Sequence, residues 1–311
     1  MIKIFFHSSD LDGHCSGAIV KFRYPEAELF PINYGQPFPW DKINKDDMIF
    51  MVDFSLEPFE DMLKLAGIIV LHKFIWIDHH KTAIAKAEEA MMTTDNGFKA
   101  CFNDICPGKR VDGTAACILT WQELFPRLLL PKAVELLGRY DVWDLGENVL
   151  AFQYGFRLNN SWPENQDMWK EYFDLKDPII FASILGNPVK VLETIKNGEI
   201  ILKYQKQENE KYCNFCAFEL EFEGYKAIAI NRLLTNSQMF ESVWDNTKYD
   251  IMITFGLRKD GRWTMSFYTD KPGVDVSLIA KKCKTALNAG GHKQASGAIF
   301  NELPFKIQIK D

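Results

Sequence analysis

The pattern that most constrains this chain is a repeated one: short apolar runs that stop at ionisable side chains. Ile2 to Phe6 leads into His7-Ser8-Ser9-Asp10-Leu11-Asp12-Gly13, Met48 to Val52 stops at Asp53, and Phe74 to Ile77 stops at Asp78-His79-His80. Short apolar runs bounded this way read as buried strands. Between them lie stretches with helical spacing, Ser16 to Phe22 and Leu56 to Leu65, and further helices are expected at Thr114 to Leu124 and Pro131 to Arg139. Strands alternating with helices predict an α/β fold with a mostly parallel sheet flanked by helices. In such sheets ligands bind beyond the carboxyl ends of the strands, and the ionisable groups stand there.

The second half reads differently. Pro188 to Cys213 has no internal Pro and is rich in Lys, Glu and Gln, which predicts a long helix. After it come β-like runs at Ala217 to Phe222, Lys226 to Ile230, Tyr249 to Leu257 and Trp263 to Tyr268, then a short helix from Val276 to Lys284 and a final strand. The expected organisation is an N-terminal domain over 1–187, a linker helix over 188–213, and a smaller C-terminal α/β domain with a mixed sheet over 214–311. A length of 311 residues suits two domains.

A net charge of −6 argues against a basic protein that coats nucleic acid without sequence preference. It does not exclude anionic substrates, because bound metal ions invert the local sign. Seven irregularly spaced cysteines argue against a disulfide framework. No apolar run has the length of a membrane span, so a cytoplasmic location without membrane partners is the expectation.

The chemistry lies in the strand ends. In a turn, Asp10 and Asp12 can face one point while Leu11 faces away, and Gly13 permits a sharp backbone change into the next helix. Carboxylates gathered this closely repel unless cations intervene. Imidazole plus carboxylate suits Mn²⁺, Fe²⁺, Zn²⁺ or Co²⁺, and two such ions roughly 3.5–4 Å apart can clamp a phosphoryl displacement. One strand-end Asp is ordinarily a helix cap. Three strand ends converging are not.

The order His7, Asp10-Leu11-Asp12-Gly13, Asp53 and Asp78-His79-His80 resembles the DHH phosphoesterase superfamily, which includes RecJ-type exonucleases, short-oligonucleotide hydrolases and family II inorganic pyrophosphatases. The family's fourth motif is best matched by Asp141, with Asp144 as the competing choice. The resemblance implies two divalent ions, most readily Mn²⁺. One would be held by His7, Asp10 and Asp53, the other by Asp12, Asp53, His79 and Asp141. It further implies that Asp78 orients an imidazole and that His80 lies near the attacking water or the scissile phosphate.

Near the C-terminus, Gly290 and Gly291 let backbone N–H groups approach an anion, and His292 and Lys293 add donors and charge. Such a turn alone is more often a loop than a site. With Val274 to Ala280 it resembles the substrate-binding domain that accompanies many of these enzymes. Family II pyrophosphatases carry a different C-terminal domain, so the resemblance favours an oligonucleotide or nucleotide phosphoesterase. The sequence departs from related hydrolases at Tyr268, where an Arg often stands. Either Arg258, Lys259 or Arg262 substitutes for it or the substrate differs, and Tyr268 could also stack on a base.

The resulting expectation is a two-metal phosphodiesterase that cleaves short single-stranded oligoribonucleotides, roughly two to five nucleotides long, to mononucleotides. The alternatives are a small-nucleotide phosphatase, acting on 3′-phosphoadenosine 5′-phosphate or a linear dinucleotide, and a noncatalytic nucleotide-binding regulator. Assembly as a homodimer is left open. Cys213-x-x-Cys216 lacks the four ligands of a closed zinc site, His72 reads as structural, and Asp112-Gly113-Thr114 reads as a turn and helix cap. His14 is expected beside the site rather than in it.

Overall fold

The computed structural model describes residues 1–93, 99–173, 188–291 and 293–306. The chain divides into two compact units, residues 1–201 and 202–311. The first contains β1 (Ile2–His7), α1 (Leu11–Arg23), β2 (Glu28–Ile32), β3 (Met48–Val52), α2 (Glu60–Ile68), β4 (Phe74–Ile77) and α3 (Lys81–Glu89). A small hairpin follows, β5 (Met91–Thr93) with β6 (Lys99–Cys101), and then α4 (Phe102–Ile105), α5 (Ala116–Leu124), α6 (Lys132–Asp141), α7 (Val149–Phe156) and α8 (Gln166–Phe173).

The main sheet of this unit is parallel throughout, in the order β2-β1-β3-β4. Its strands are apolar on both faces because helices cover both. Phe5, Ile49, Met51, Phe74 and Trp76 enter one core, together with Met62 and Leu65 of α2. The alternate residues Ile4, Phe6, Phe50, Val52 and Ile77 enter the other, with Val20 of α1 and Leu119 of α5. From β1 the chain runs to β2 on one side and returns to β3 on the other. The carboxyl ends of β1 and β3 therefore flank a topological switch point, where ligands bind in open α/β sheets.

A long helix, α9 (Pro188–Cys216), crosses the division between the units. The second unit continues with β7 (Phe218–Phe222), β8 (Tyr225–Asn231), β9 (Ile251–Leu257), β10 (Trp263–Tyr268), α10 (Val276–Lys282), β11 (Ala286–Gly291) and β12 (Ala295–Phe300). These strands make a six-stranded sheet in the order β11-β12-β10-β9-β8-β7, antiparallel except for β8 beside β9. Val276, Ile279 and Ala280 of α10 pack on one face. Tyr212, Cys213 and Cys216 at the end of α9 join Ile228, Ile230 and Met252 on the other. The α/β class with a mixed second sheet is as the sequence predicts.

Several boundaries differ. The first helix begins at Leu11 rather than Ser16, the second at Glu60 rather than Leu56, and the fifth at Ala116 rather than Thr114. Gly290 and Gly291, read as a loop, form the end of β11 and pair with Gly297 and Ser296. Among the described residues no helix is long and apolar enough to cross a membrane, and all seven cysteines are free thiols.

Candidate metal centre

The sheet brings three strand ends to one place. His7 closes β1, Asp53 follows β3, and Asp78, His79 and His80 follow β4. Asp10 caps α1, accepting the Gly13 amide at 2.9 Å. Asp12 lies in the first turn of α1, and Asp141 is the last residue of α6. The donor atoms form three overlapping triads, each within 4.8 Å: His7, Asp10 and Asp53; Asp12, His79 and Asp141; and Asp53, His79 and His80. Asp53 and His79 each belong to two triads, so the third triad links the other two, one residue to each. The competing carboxylate, Asp144, is elsewhere, 2.7 Å from the Arg139 guanidinium on the surface.

Local backbone features fix this arrangement. Gly13 is needed for close approach rather than for a sharp turn: it lies within α1, and a Cβ there would stand 1.9 Å from the His7 carbonyl oxygen. Asp53 has a positive φ of 56°. That conformation is uncommon outside Gly but more accessible to Asp than to most residues, and strain of this kind gathers at functional sites. The Asp53 amide donates to the Ile77 carbonyl at 2.9 Å, tying the end of β3 to β4.

Asp12 is anchored over a long sequence distance. Its two oxygens accept the amides of Ala116 and Cys117, each at 2.8 Å, at the start of α5. Asp112-Gly113-Thr114 forms a turn before the helix, as read, but the cap comes from Asp12 instead. Asp78 is fully buried; its Oδ1 accepts the amides of His79 and His80 and lies 2.6 Å from His80 Nδ1, while Oδ2 accepts the Trp76 indole at 3.2 Å. The imidazole that Asp78 orients is thus that of His80.

The electrostatics without cations are unfavourable to a fully ionised cluster. Burial, then the charge of Asp53, pushes Asp12 up to about 7. Burial, then Asp12, pushes Asp141 up to about 7. Burial likewise raises Asp53. Burial alone would lower His7 and His79, but Asp10 and Asp53 raise the first, and Asp53, Asp12 and Asp141 the second, each to about 10. Protons accumulate where positive charge is wanted. Among the described residues, His7 Nδ1 and Asp53 Oδ1 are buried without an aligned hydrogen-bond partner, although His7 Nδ1 is 2.7 Å from Asp10 Oδ2 and His79 Nε2 is 3.3 Å from Asp53 Oδ1. Bare donors, mixed imidazole and carboxylate, in overlapping triads fit divalent transition ions.

Other residues stand close by. Tyr34, in the loop after β2, sets its ring edge-on to His7 and His80, with centroids 5.8 and 6.1 Å away. It carries no sequence signal, because β2 itself is not legible as a strand. His14 is occupied beside the cluster, its Nδ1 2.9 Å from Ser161 Oγ and its ring against Trp162.

The residues expected to bind substrate lie in the second unit. Lys293 is exposed beside Gly291, and its carbonyl accepts the Val276 amide. His292 lies outside the described residues. Arg258 is 3.2 Å from Asp260, and the Tyr268 hydroxyl donates to the Thr235 carbonyl at 3.1 Å. Among the described residues, Cys213 and Cys216 belong to no potential metal-ligand cluster.

No family model and no curated protein matches this sequence. Solved structures with a similar chain course include the pGpG-specific phosphodiesterase PggH from Vibrio cholerae, at 11% identity over 96% of this chain and 93% of that one, with a TM-score of 0.47. An uncharacterized protein from Helicobacter pylori G27 is 16% identical over 97% and 94% of the two chains, with a TM-score of 0.39. RecJ from Thermus thermophilus in complex with Mn²⁺ is 12% identical over 96% of this chain and 49% of that one, with a TM-score of 0.42.

Proposed function

We propose that the chain is a metal-dependent phosphodiesterase of the DHH type that hydrolyses short oligoribonucleotides. The observation that carries this reading is the run of three donor triads linked through Asp53 and His79 at the switch point of the sheet. His7, Asp10 and Asp53 would hold one divalent ion, and Asp12, Asp53, His79 and Asp141 the other, with Mn²⁺ suited to the donor set. When bound, such ions supply an acidified water and charge neutralisation at the phosphoryl oxygens.

The chain's own residues supply the rest. Asp12 and Asp53, both almost fully buried, would offer carboxylate oxygens to the ions. Asp78 holds the His80 ring by Nδ1, which leaves Nε2 as the nitrogen that can exchange a proton with water or the departing oxygen. Burial lowers and Asp78 raises the His80 imidazole, with a net upward shift. In the second unit, Gly290, Gly291, His292, Lys293, Arg258 and Tyr268 are the residues proposed to bind substrate.

The test is turnover, with Mn²⁺, Mg²⁺ or Zn²⁺, of short RNA, short DNA, bis-phosphorylated nucleotides and pyrophosphate. Mn²⁺-dependent release of mononucleotides from di- to pentaribonucleotides, abolished in Asp53→Ala, is expected. Turnover of bis-phosphorylated nucleotides alone would replace this reading with a phosphatase. Nucleotide binding that survives Asp53→Ala, without turnover of anything by the wild type, would replace it with a noncatalytic binder.

A further inference from the structure

Tyr34 offers no ligand to a metal, yet its ring touches two imidazoles of the centre. The ring centroids stand 5.8 Å from that of His7 and 6.1 Å from that of His80. In the proposed reaction the first imidazole holds an ion and the second exchanges a proton. A group resting on Tyr34 would therefore rest beside the scissile phosphate.

The ring is held from several directions. Asn33, Tyr34, Gly35 and Gln36 form a β-turn after β2, in which the Gln36 amide donates to the Asn33 carbonyl at 3.1 Å. Gly35, third in the turn, has the positive φ (81°) that a type II turn requires, and Tyr34 occupies the corner before it. Side chains lock the turn: the Ser9 hydroxyl donates to Asn33 Oδ1 at 2.7 Å, and the Asn33 amide to Gln36 Oε1 at 3.1 Å. Phe54, one residue past Asp53, lies against the Tyr34 ring with centroids 4.6 Å apart and planes inclined by 36°. The Tyr34 hydroxyl lies beside Ser55.

Despite these contacts Tyr34 is 40% exposed, whereas Phe54, which also packs near His7, is 3% exposed. Apolar bulk against His7 is thus already supplied by Phe54. Leaving much of a second ring in water forgoes the stabilisation that burying it would give. The same ring suits a flat ligand, because a fixed platform loses little conformational freedom on binding. The flat part of an oligonucleotide is its base, and every base has a π-face to stack.

We propose that Tyr34 is a specificity-determining residue that stacks on a nucleobase adjoining the scissile phosphate. The inference rests on the phosphodiesterase reading and deepens it: the bond that breaks must have a base on one particular side, of any identity. Tyr34 takes no part in bond cleavage, and a substrate without a base, such as pyrophosphate, gains nothing from it.

The experiment measures kcat and KM of the full chain with Mn²⁺ on ApA and on two analogues, each with one adenine replaced by hydrogen at C1′. Removing one of the two bases should lower wild-type kcat/KM about tenfold, mainly through KM, and removing the other should matter far less. Tyr34→Leu should lower kcat/KM on ApA by about the same factor. Its loss on the sensitive analogue should be much smaller, because both changes delete one contact. Tyr34→Phe keeps the ring and should keep the discrimination. Equal loss on ApA and both analogues in Tyr34→Leu would mean that the ring only positions His7 and His80, and overturns the assignment. A wild type indifferent to the loss of either base overturns it as well. If Tyr34→Leu is misfolded by circular dichroism, Tyr34→Met is compared in its place. A wild type that cleaves no dinucleotide sinks the phosphodiesterase reading. Calorimetric binding of ApA and its analogues then decides the stacking contact by the same comparison, and absence of binding counts against it.

Discussion

Asp12 caps a helix that begins far along the chain, its Oδ2 accepting the Ala116 amide at 2.8 Å across a sequence separation of 104 residues. With the Cys117 amide on Oδ1, one carboxylate ends α5 and faces the cluster at once. The cap places negative charge at a helix N-terminus, and each oxygen keeps acceptor capacity for a cation. Structure and chemistry are therefore coupled at this residue. Asp12→Ala should destabilise the protein by about 1–2 kcal/mol even in a chelator, the usual cost of a lost N-cap. Urea unfolding in EDTA measures it; an unchanged midpoint would show that the cap contributes nothing.

The metal-free protein should lose stability as pH rises. His7 and His79 are held up to about 10, above their usual 6.5, so their contribution is complete below about 6.5 and lost as pH climbs through about 10. Asp12 and Asp141, raised from 3.8 to about 7, favour the folded state when protonated and lose that contribution earlier, as pH climbs from 3.8 to about 7. Divalent ions replace those protons, so binding should release protons and strengthen with pH. Thermal midpoints in EDTA should fall between about pH 5.5 and about pH 8, and the increase on adding Mn²⁺ should be larger at the higher pH. A Mn²⁺ shift independent of pH would place the ions elsewhere.

How far the sequence foretells this centre varies with how local each signal is. β1, β3 and β4 are legible because parallel strands buried on both faces read as unbroken apolar runs. β2 is hidden by Pro31 and by the exposed Glu28, both tolerated because it is an edge strand. α7, Val149–Phe156, is almost wholly buried, so its sequence shows no polar face to reveal a helix. Asp12's partner amides leave no mark near Asp12 in the sequence. Gly290 and Gly291 invite a loop reading by composition, and only pairing with β12 makes them strand. The donors are legible one by one; what joins them is tertiary.

Asp78→Asn tests the support of the His80 ring separately from the donors. The amide keeps one acceptor, but its NH₂ group must face either the His79 and His80 amides or the Trp76 indole, all of which are donors. His80 should lose its fixed orientation, and activity or metal affinity should drop by about 10–100-fold, as for other residues that orient a site histidine. Turnover and Mn²⁺ titration of the same preparation check this. Wild-type values in both would remove Asp78 from any role beyond the fold.

Gly13→Ala should damage stability and metal binding together. The added methyl would stand 1.9 Å from the His7 carbonyl oxygen, and that oxygen belongs to the strand end whose side chain enters the cluster. Relief requires moving α1 away from β1, which carries Asp10 and Asp12 away from His7. Gly17, one turn on, is the control: its added carbon would meet Phe6 Cγ at 3.0 Å and Phe6 Cβ and Pro163 Cγ at 3.1 Å, side-chain contacts that need a shift of only a few tenths of an ångström. Overpacking of this kind costs about 1–3 kcal/mol, and Gly13→Ala should fall at or above the top of that range with Gly17→Ala near the bottom. Urea unfolding ranks the two variants, and calorimetry with Mn²⁺ should show affinity lost in Gly13→Ala and kept in Gly17→Ala. Equal affinity in both would mean that the approach of α1 to the end of β1 does not set the spacing of the donors.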